Sequence, residues 1–412
     1  MRNLKILQVN KYYYPKSGSD RYLFDVSMML QNHGHKVIPF AMKHKKNVET
    51  VYSRYFVENI DYERVIRKSV LDKMSAFFKI IYSHEAKKKV QSLITKEKPD
   101  VAHVHKFSNT LTPSVLYGIK KREIPIVQTL HDYRTICPNY NLYDFSKFEL
   151  CEECKGHHYI NAIKKRCQKS SILIGLNIAL ESYLYHLLKT YENTIDLFIS
   201  PSNFLREKMI EFGVDKNKII CIPNFVNCKN YSPNYFNSNY ILYFGRLEKH
   251  KGVKTLIKAM KDVKDFKLYL IGSGNYRIEL DKIVKKDNVR NVEFFGFVKR
   301  EQLVKLIKNS LFTVLPSEWY ENCPMTILES FALGKPVIGA NIGGIPELVN
   351  HGSTGLLFET GNVKDLAEKI SYLLENRNLV VEMGKNARKK VERNYNEEIH
   401  YRKLINAYEY II

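Results

Sequence analysis

LFTVLPSEWYENCPMTILESFALGKPVIGA, Leu311 to Ala340, is the stretch whose reading decides the fold. Its opening run, Leu311 to Ser317, has the apolar character of a buried strand ending at its carboxyl edge. Pro324 stands where a helix takes its first turn, and its missing N–H costs nothing there. A helix from about Pro324 to Leu333 would stop at Gly334, and PVIGA would be the next buried strand. Seven residues separate Glu321 from Glu329. The first carboxylate therefore lies in the loop at the strand's end, and the second more than one turn into the helix. The free N–H groups of Cys323, Met325 and Thr326 would point out of the helix start, where a phosphate is held well. One carboxylate before an anion site and one beyond it suit a ligand with hydroxyls at both ends of a diphosphate. That describes a sugar nucleotide.

ENCPMTILESFALGKPV resembles the E-x7-E motif of the family 4 retaining glycosyltransferases, which have the GT-B fold. Upstream, YFGRLEKHKGVKTLIKA (Tyr243 to Ala259) is similar to the segment bearing that family's diphosphate-binding Arg and Lys, here Arg246 and Lys251. Downstream, GANIGGIPELVNHGSTGLLFE (Gly339 to Glu359) also matches its pattern. The resemblance runs over the second half and more loosely over the first. It implies an α/β protein with two Rossmann-like, doubly wound domains facing across a cleft. Residues 1–230 would be the acceptor side, 231–396 the sugar-nucleotide side, and 397–412 a helix returning to the first domain. It further implies a hexosyltransferase that retains anomeric configuration and needs no metal or other cofactor for catalysis.

The same resemblance suggests roles. Glu329 would accept hydrogen bonds from the ribose hydroxyls, and Glu321 would hold sugar hydroxyls at the reacting face. Arg246, Lys251 and the helix start would stabilise the departing diphosphate electrostatically. The alternative for both cations is a surface ion pair, Glu248 being at hand. Gly272, in a Gly272-Ser273-Gly274 turn, would pass close to the nucleotide. It belongs to no G-x-G-x-x-G motif, since Arg277 takes the last position. Val298 is a candidate for meeting the base through its backbone, against plain strand packing. Gly343-Gly344 makes a turn near the ligand cleft.

From the beginning of the chain, LKILQVN reads as a strand and KYYYPKSGSDRY as a loop. A helix from an N-cap at Ser19 to about His33 and a strand HKVIPF complete the opening of a doubly wound domain. Gly18 matches the family's Gly-rich loop, where the backbone approaches the donor; the alternative is an ordinary turn glycine. Residues 43–98 read as helical and basic, their charge runs being solvated faces. PDVAHVH and IPIVQTLHD are two buried strands ending in His. In the family the second His, here His131, contacts the donor sugar or shapes the acceptor pocket; His103 and His105 are weaker candidates, hydrogen-bonded at strand ends. TIDLFISPSNFLREKMIEFGVDKNKIICIPNFV reads as strand, helix, strand, with Ser202 or Ser200 capping the helix.

Cys137, Cys151, Cys154 and Cys167 form a C-x13-C-x2-C-x12-C pattern in a charged, loop-like stretch of about 133–170. Four thiols with one Cys-x-x-Cys knuckle suit a structural zinc site; four free thiols are the alternative. Some bacterial family members carry a similar insertion beside the acceptor site.

The 412 residues suffice for two or three domains, and 44% hydrophobic content says globular rather than disordered. The net charge is +22. Residues 1–230 hold 37 Lys and Arg against 22 Asp and Glu, and residues 231–412 hold 28 against 21. The excess sits in the first half. It suits an anionic partner, an anionic membrane surface or a lipid diphosphate acceptor at the inner face of the cell membrane, unless it is merely compositional. No nucleic-acid motif appears in its expected context, which ranks nucleic acid last. Ile172 to Leu188 is too polar to span a membrane and reads as a half-buried or an interfacial helix. No leader pattern opens the chain, so the expected compartment is the cytoplasm. Two rivals share the sugar-nucleotide site: an epimerase of related fold, and a silent sugar-nucleotide-binding scaffold.

Overall fold

The computed structural model describes residues 2–59, 82–107, 110–168, 170–236, 239–263 and 266–412. The first half builds a six-stranded sheet from β1 (Lys5–Val9), β2 (Lys36–Phe40), β3 (Val101–Val104), β4 (Ile126–Thr129), β5 (Leu197–Ser200) and β6 (Ile219–Cys221), ordered β2-β1-β3-β4-β5-β6. The second half builds another from β7 (Tyr240–Phe244), β8 (Lys267–Ile271), β9 (Val292–Gly296), β10 (Thr313–Leu315), β11 (Val337–Ala340) and β12 (Gly355–Phe358), ordered β9-β8-β7-β10-β11-β12. Every neighbouring pair is parallel. Parallel strands need crossovers, the crossovers put helices on both faces, and so β3, β4, β10 and β11 are buried along their whole length. That is why these strands read as unbroken apolar runs.

Six helices matter for the site: α1 (Gly18–Asn32), α2 (Ile172–Leu187), α3 (Asn203–Glu211), α4 (Met325–Ala332), α5 (Arg377–Asn394) and α6 (Glu397–Ile411). α5 closes the core of the second domain through Val380, Met383, Ala387 and Val391. α6 crosses back: Tyr401, Leu404, Ile405 and Tyr408 share one core with Leu4, Ile6, Val26 and Val101 of the first domain. Hydrogen bonds fix it there, among them Tyr408 Oη with His103 Nδ1 at 2.6 Å, His400 Nε2 with Tyr22 Oη at 3.0 Å and Tyr401 Oη with His35 Nε2 at 2.9 Å.

Several local expectations shift. α1 starts at Gly18 with Ser17, not Ser19, in the cap position. Ser17 Oγ donates to Asp20 Oδ2 at 2.6 Å, and Asp20 also accepts from Asn10 Nδ2 at 2.9 Å, so the turn is pinned to the end of β1 and the cap falls two residues earlier. α4 starts at Met325, with Pro324 extended (φ −68, ψ 118) as its cap rather than in its first turn. Ser202, not Ser200, caps α3, accepting from Leu205 N at 3.2 Å. The basic stretch 43–98 is helical only in a short turn at Ser53–Tyr55 and at His84–Glu97 among the described residues, and 60–81 lie outside them. No helix among the described residues is long and apolar enough to cross a membrane.

Candidate active site

In the first sheet the strand order turns back between β1 and β3, and in the second between β7 and β10. Ligands of open α/β sheets bind beyond the carboxyl ends of the strands at such switch points. Here the two edges face each other, because loops from both bond across the gap. Asn322 Nδ2 donates to the carbonyl of His131 at 3.3 Å, and Asn224 Nδ2 donates to the carbonyl of Cys323 at 2.9 Å. Glu347 accepts from the backbone N–H groups of Asn203 (2.9 Å) and Phe204 (2.6 Å) at the start of α3, where the helix dipole favours a carboxylate.

Glu321 sits in the loop between β10 and α4. It accepts from Lys251 Nζ at 2.7 Å and from Ser317 Oγ at 2.7 Å. Each side chain of the Glu321–Lys251 pair is only 12% exposed. Burial alone would raise the Glu321 carboxyl, but the Lys251 charge and these hydrogen bonds outweigh it and hold it below the usual carboxylate range. The Gly343-Gly344 turn backs this loop: Gly344 N donates to Glu321 O at 2.7 Å, and a Cβ on Gly344 would fall 1.8 Å from Asn322 O. Only glycine lets the two loops meet.

Glu329, on α4, has a side chain 5% exposed and is met by two guanidinium groups. Arg21 reaches it from α1 in the first domain, and Arg300 Nη1 lies 3.1 Å away in the second. Both arginines also donate to Tyr231 Oη. Sequence reading missed Arg21 and Arg300. No spacing signals them, since they come from 308 and 29 residues away and meet Glu329 only through the tertiary fold.

Between the two carboxylates lies the start of α4. Ile327 N already bonds Pro324 O, whereas Thr326 Oγ1 is buried with no hydrogen-bond partner among the described residues. Met325 is part-buried and Cys323 buried, 6% exposed. Across the gap, His131 Nε2 is 3.1 Å from His105 Nδ1, whose other nitrogen bonds Gln8 Oε1 at 2.7 Å. Burial, and the nearby Lys106 charge, hold His131 well below the usual range, so it is neutral. His103 is satisfied by Tyr408 and Thr129 in the core and takes no part in the site. Gly18 opens onto free space, with no atom within 4 Å of where a Cβ would be.

The remaining residues divide. Arg246 is 61% exposed and paired with Glu248 Oε1 at 2.8 Å, so it stands beside the site without touching either glutamate. Gly272 (φ +135) packs so tightly that a Cβ would lie 1.8 Å from Gly245 O, and its N–H donates to Gly296 O at 2.8 Å. Val298 is part-buried two residues past β9. The four cysteines converge on one cavity of about 10 Å³, with Cys137, Cys154 and Cys167 buried. Among the described residues no group of three or more His, Cys, Asp or Glu side chains is drawn to metal-ligand spacing. Cys137 Sγ instead donates to Asn139 Oδ1 at 3.1 Å, and burial with the neighbouring thiols pushes Cys167 up to about 12, keeping it protonated.

Two family models match the chain, Glycosyltransferase Family 4 over residues 16–230 and Glycosyl transferases group 1 over 225–390. An uncharacterized glycosyltransferase of Methanocaldococcus jannaschii is 35% identical over 193 residues, 47% of this chain and 54% of that protein. The N,N'-diacetylbacillosaminyl-diphospho-undecaprenol alpha-1,3-N-acetylgalactosaminyltransferase of Campylobacter jejuni is 29% identical over 232 residues, 52% of this chain and 60% of that protein. The chain thus spans between half and two thirds of these relatives. In structure it is similar to Anabaena HepE in complex with UDP and glucose, at TM-score 0.70 and 18% identity, covering 98% of this chain and 99% of that one. A glycosyltransferase from Rickettsia africae gives TM-score 0.70 at 20% identity, covering 100% and 99%. The two parallel-sheet domains have the GT-B fold, and the chain belongs to glycosyltransferase family 4.

Proposed function

We propose that this protein is a retaining glycosyltransferase that moves a sugar from a nucleoside-diphosphate sugar to a glycan or lipid-linked acceptor. The setting is cell-surface polysaccharide assembly at the inner face of the membrane. The observation that carries the reading is the pairing of Glu321 with Lys251 and of Glu329 with Arg21 and Arg300, one pair on each side of the α4 start. In that arrangement Glu329 meets the ribose, the α4 amides and Thr326 meet the diphosphate, and Glu321 meets the sugar. Lys251, with Arg246 swung from Glu248, offsets the charge that builds on the leaving diphosphate, an electrostatic role suited to a site partly shielded from water. His131 is neutral and stands on the facing wall, where it can hydrogen-bond the transferred sugar without repelling the cations around it. Two relatives support the acceptor and pathway: the Campylobacter enzyme's name places a diphospho-undecaprenol in its substrate, and an amylovoran biosynthesis glycosyltransferase of Erwinia amylovora is 28% identical over 233 residues.

Thermal stabilisation against UDP-, GDP-, ADP- and dTDP-sugars tests the donor side. A ligand bound only by the folded chain at a hundred times its Kd adds about 2.7 kcal/mol of stability. The expected result is stabilisation by one nucleotide series, abolished in Glu329→Ala. A flat response to every series overturns the reading.

A further inference from the structure

Three cations at the carboxyl edge of the first sheet have no part in the donor site. Lys11 lies two residues past β1, Lys106 two residues past β3, and Arg134 five residues past β4. β1, β3 and β4 are adjacent, so the three side chains spring from neighbouring strand ends at the first domain's switch point. The loops are tied together, since Lys106 N donates to Asn10 Oδ1 at 3.1 Å and His105 bonds His131.

Among the described residues none of the three has a carboxylate within ion-pairing distance. The acids beside them are otherwise engaged: Asp20 accepts from Asn10 and Ser17, and Asp132 accepts from the backbone N–H of Arg134 at 3.1 Å. Burial and the charges of Arg134, Lys16 and Lys106 pull Lys11 down to about 8. Asp132 and Glu181 favour the charge of Arg134, but Lys11 has only Asp20 against three cations, so an anion bound beside Lys11 and Lys106 would relieve the crowding.

The surroundings narrow the anion. Arg134 lies over the Tyr140 ring at 3.8 Å and lines a cavity of about 290 Å³ whose wall combines the rings of Tyr140, Tyr185 and Phe198 with Glu181, Glu192 and Asp215. α2 forms one side of it. The outer face of α2 carries Leu173, Leu176, Leu180 and Leu187 at helical spacing, exposed by 78%, 42%, 47% and 79%. The one acid of that helix, Glu181, is turned inward and buried, while Arg166 and Lys189 stand exposed at its two ends. A charged cradle, a chamber walled by both aromatic rings and acids, and an apolar, acid-free outer face thus follow one another. That sequence matches an amphiphile whose anionic head leaves a bilayer for the cleft.

We infer that Lys11, Lys106 and Arg134 form the subsite that holds the diphosphate of a membrane-anchored prenyl-type acceptor, with the α2 leucines resting on the bilayer beside it. This rests on the transferase reading of the cleft and adds to it the acceptor's chemistry.

The test is equilibrium binding of farnesyl diphosphate to the full chain, with inorganic pyrophosphate as the second probe. Farnesyl diphosphate is expected to bind, and to weaken by about 10-fold or more in Lys11→Met and in Lys106→Met, each a lost charge-assisted contact. It should keep its affinity in Arg246→Ala, and pyrophosphate should bind more weakly than the prenyl compound. Affinity unchanged in both lysine variants overturns the inference, as does affinity lost in Arg246→Ala, which would put the probe in the donor site. Equal affinity for pyrophosphate overturns the lipid assignment and leaves a site for free diphosphate. Arg134 is too enclosed to be a safe first variant, so Arg134→Lys, which keeps the charge, serves as its check. Sugar-nucleotide stabilisation measured alongside separates the two ideas: none in the wild type defeats the transferase reading, whereas farnesyl diphosphate binding unchanged in Lys11→Met and Lys106→Met defeats only this one.

Discussion

A carboxylate as enclosed as Glu329 persists because guanidinium groups from both domains converge on it. Removing one partner of such a group leaves a buried charge unpaired, which is costly, while the set as a whole is near neutral in its contribution. On the proposed role of Glu329, a ribose donating to it would share the carboxylate with Arg21, coupling donor binding to the domain contact. Glu321→Gln keeps the shape of its loop but removes charge from the reacting face. It is expected to lower kcat by about 100-fold while leaving donor affinity within about 3-fold, as for loss of one preorganised electrostatic group. Glu329→Ala is expected to weaken donor binding by 10-fold or more. Titration calorimetry with the donor and steady-state kinetics check both, and the opposite pattern defeats the assignment of the two roles. Both glutamates were legible in the sequence because one contiguous strand–loop–helix carries them and fixes their spacing. Arg21 and Arg300 were not, and the exposed position of Arg246 against Glu248 was open, because a side chain's partner is settled by tertiary packing.

At the scale of elements, the loops that end β7, β8 and β9 are stacked backbone on backbone. Gly272 N donates to Gly296 O, Gly245 N donates to Ile271 O, and no Cβ fits between Gly272 and Gly245. Gly272→Ala is therefore expected to destabilise the protein by about 2–4 kcal/mol, from overpacking and from a positive φ that alanine resists. It should also lower donor affinity, since the shifted loop passes along the same edge as Lys251. Urea unfolding with and without the nucleotide reads both; a variant as stable as the parent would show that the neighbouring loop gives way freely. The strands were readable because sheets covered on both faces leave no alternation to confuse. Element starts were less so: the cap of α1 moved by two residues and the start of α4 by one when an Asp20–Asn10 contact or a proline, invisible to local propensity, set the turn.

Across the whole molecule, His103, His105, His131 and His400 are all enclosed, and burial holds each below the usual imidazole range, His400 at about 4. The unfolded chain binds protons at about pH 6.5 that the folded one refuses. The stability these groups lend is therefore complete above pH 6.5 and is lost as the pH falls towards the folded values, at up to about 1.4 kcal/mol per pH unit for each histidine. Melting temperatures measured from pH 8 to 4.5 should hold steady and then fall below 6.5, with a shallower fall in His400→Gln. A curve flat to pH 4.5 would contradict the enclosure of these rings. Three of the four histidines lie in the first domain, and His400 is delivered to it by α6, the helix that leaves the second domain to complete the core around Leu4, Ile6 and Val101. That return has a consequence in time. As the chain emerges from the ribosome, the first sheet is made early but lacks part of its hydrophobic layer until residues 397–411 appear, some two hundred residues after its last strand. The second domain, continuous from β7 to α5, can close before the first is finished. The half synthesised first is thus the half completed last, and until then it waits with its Tyr22 and Leu30 face open to whatever holds nascent chains.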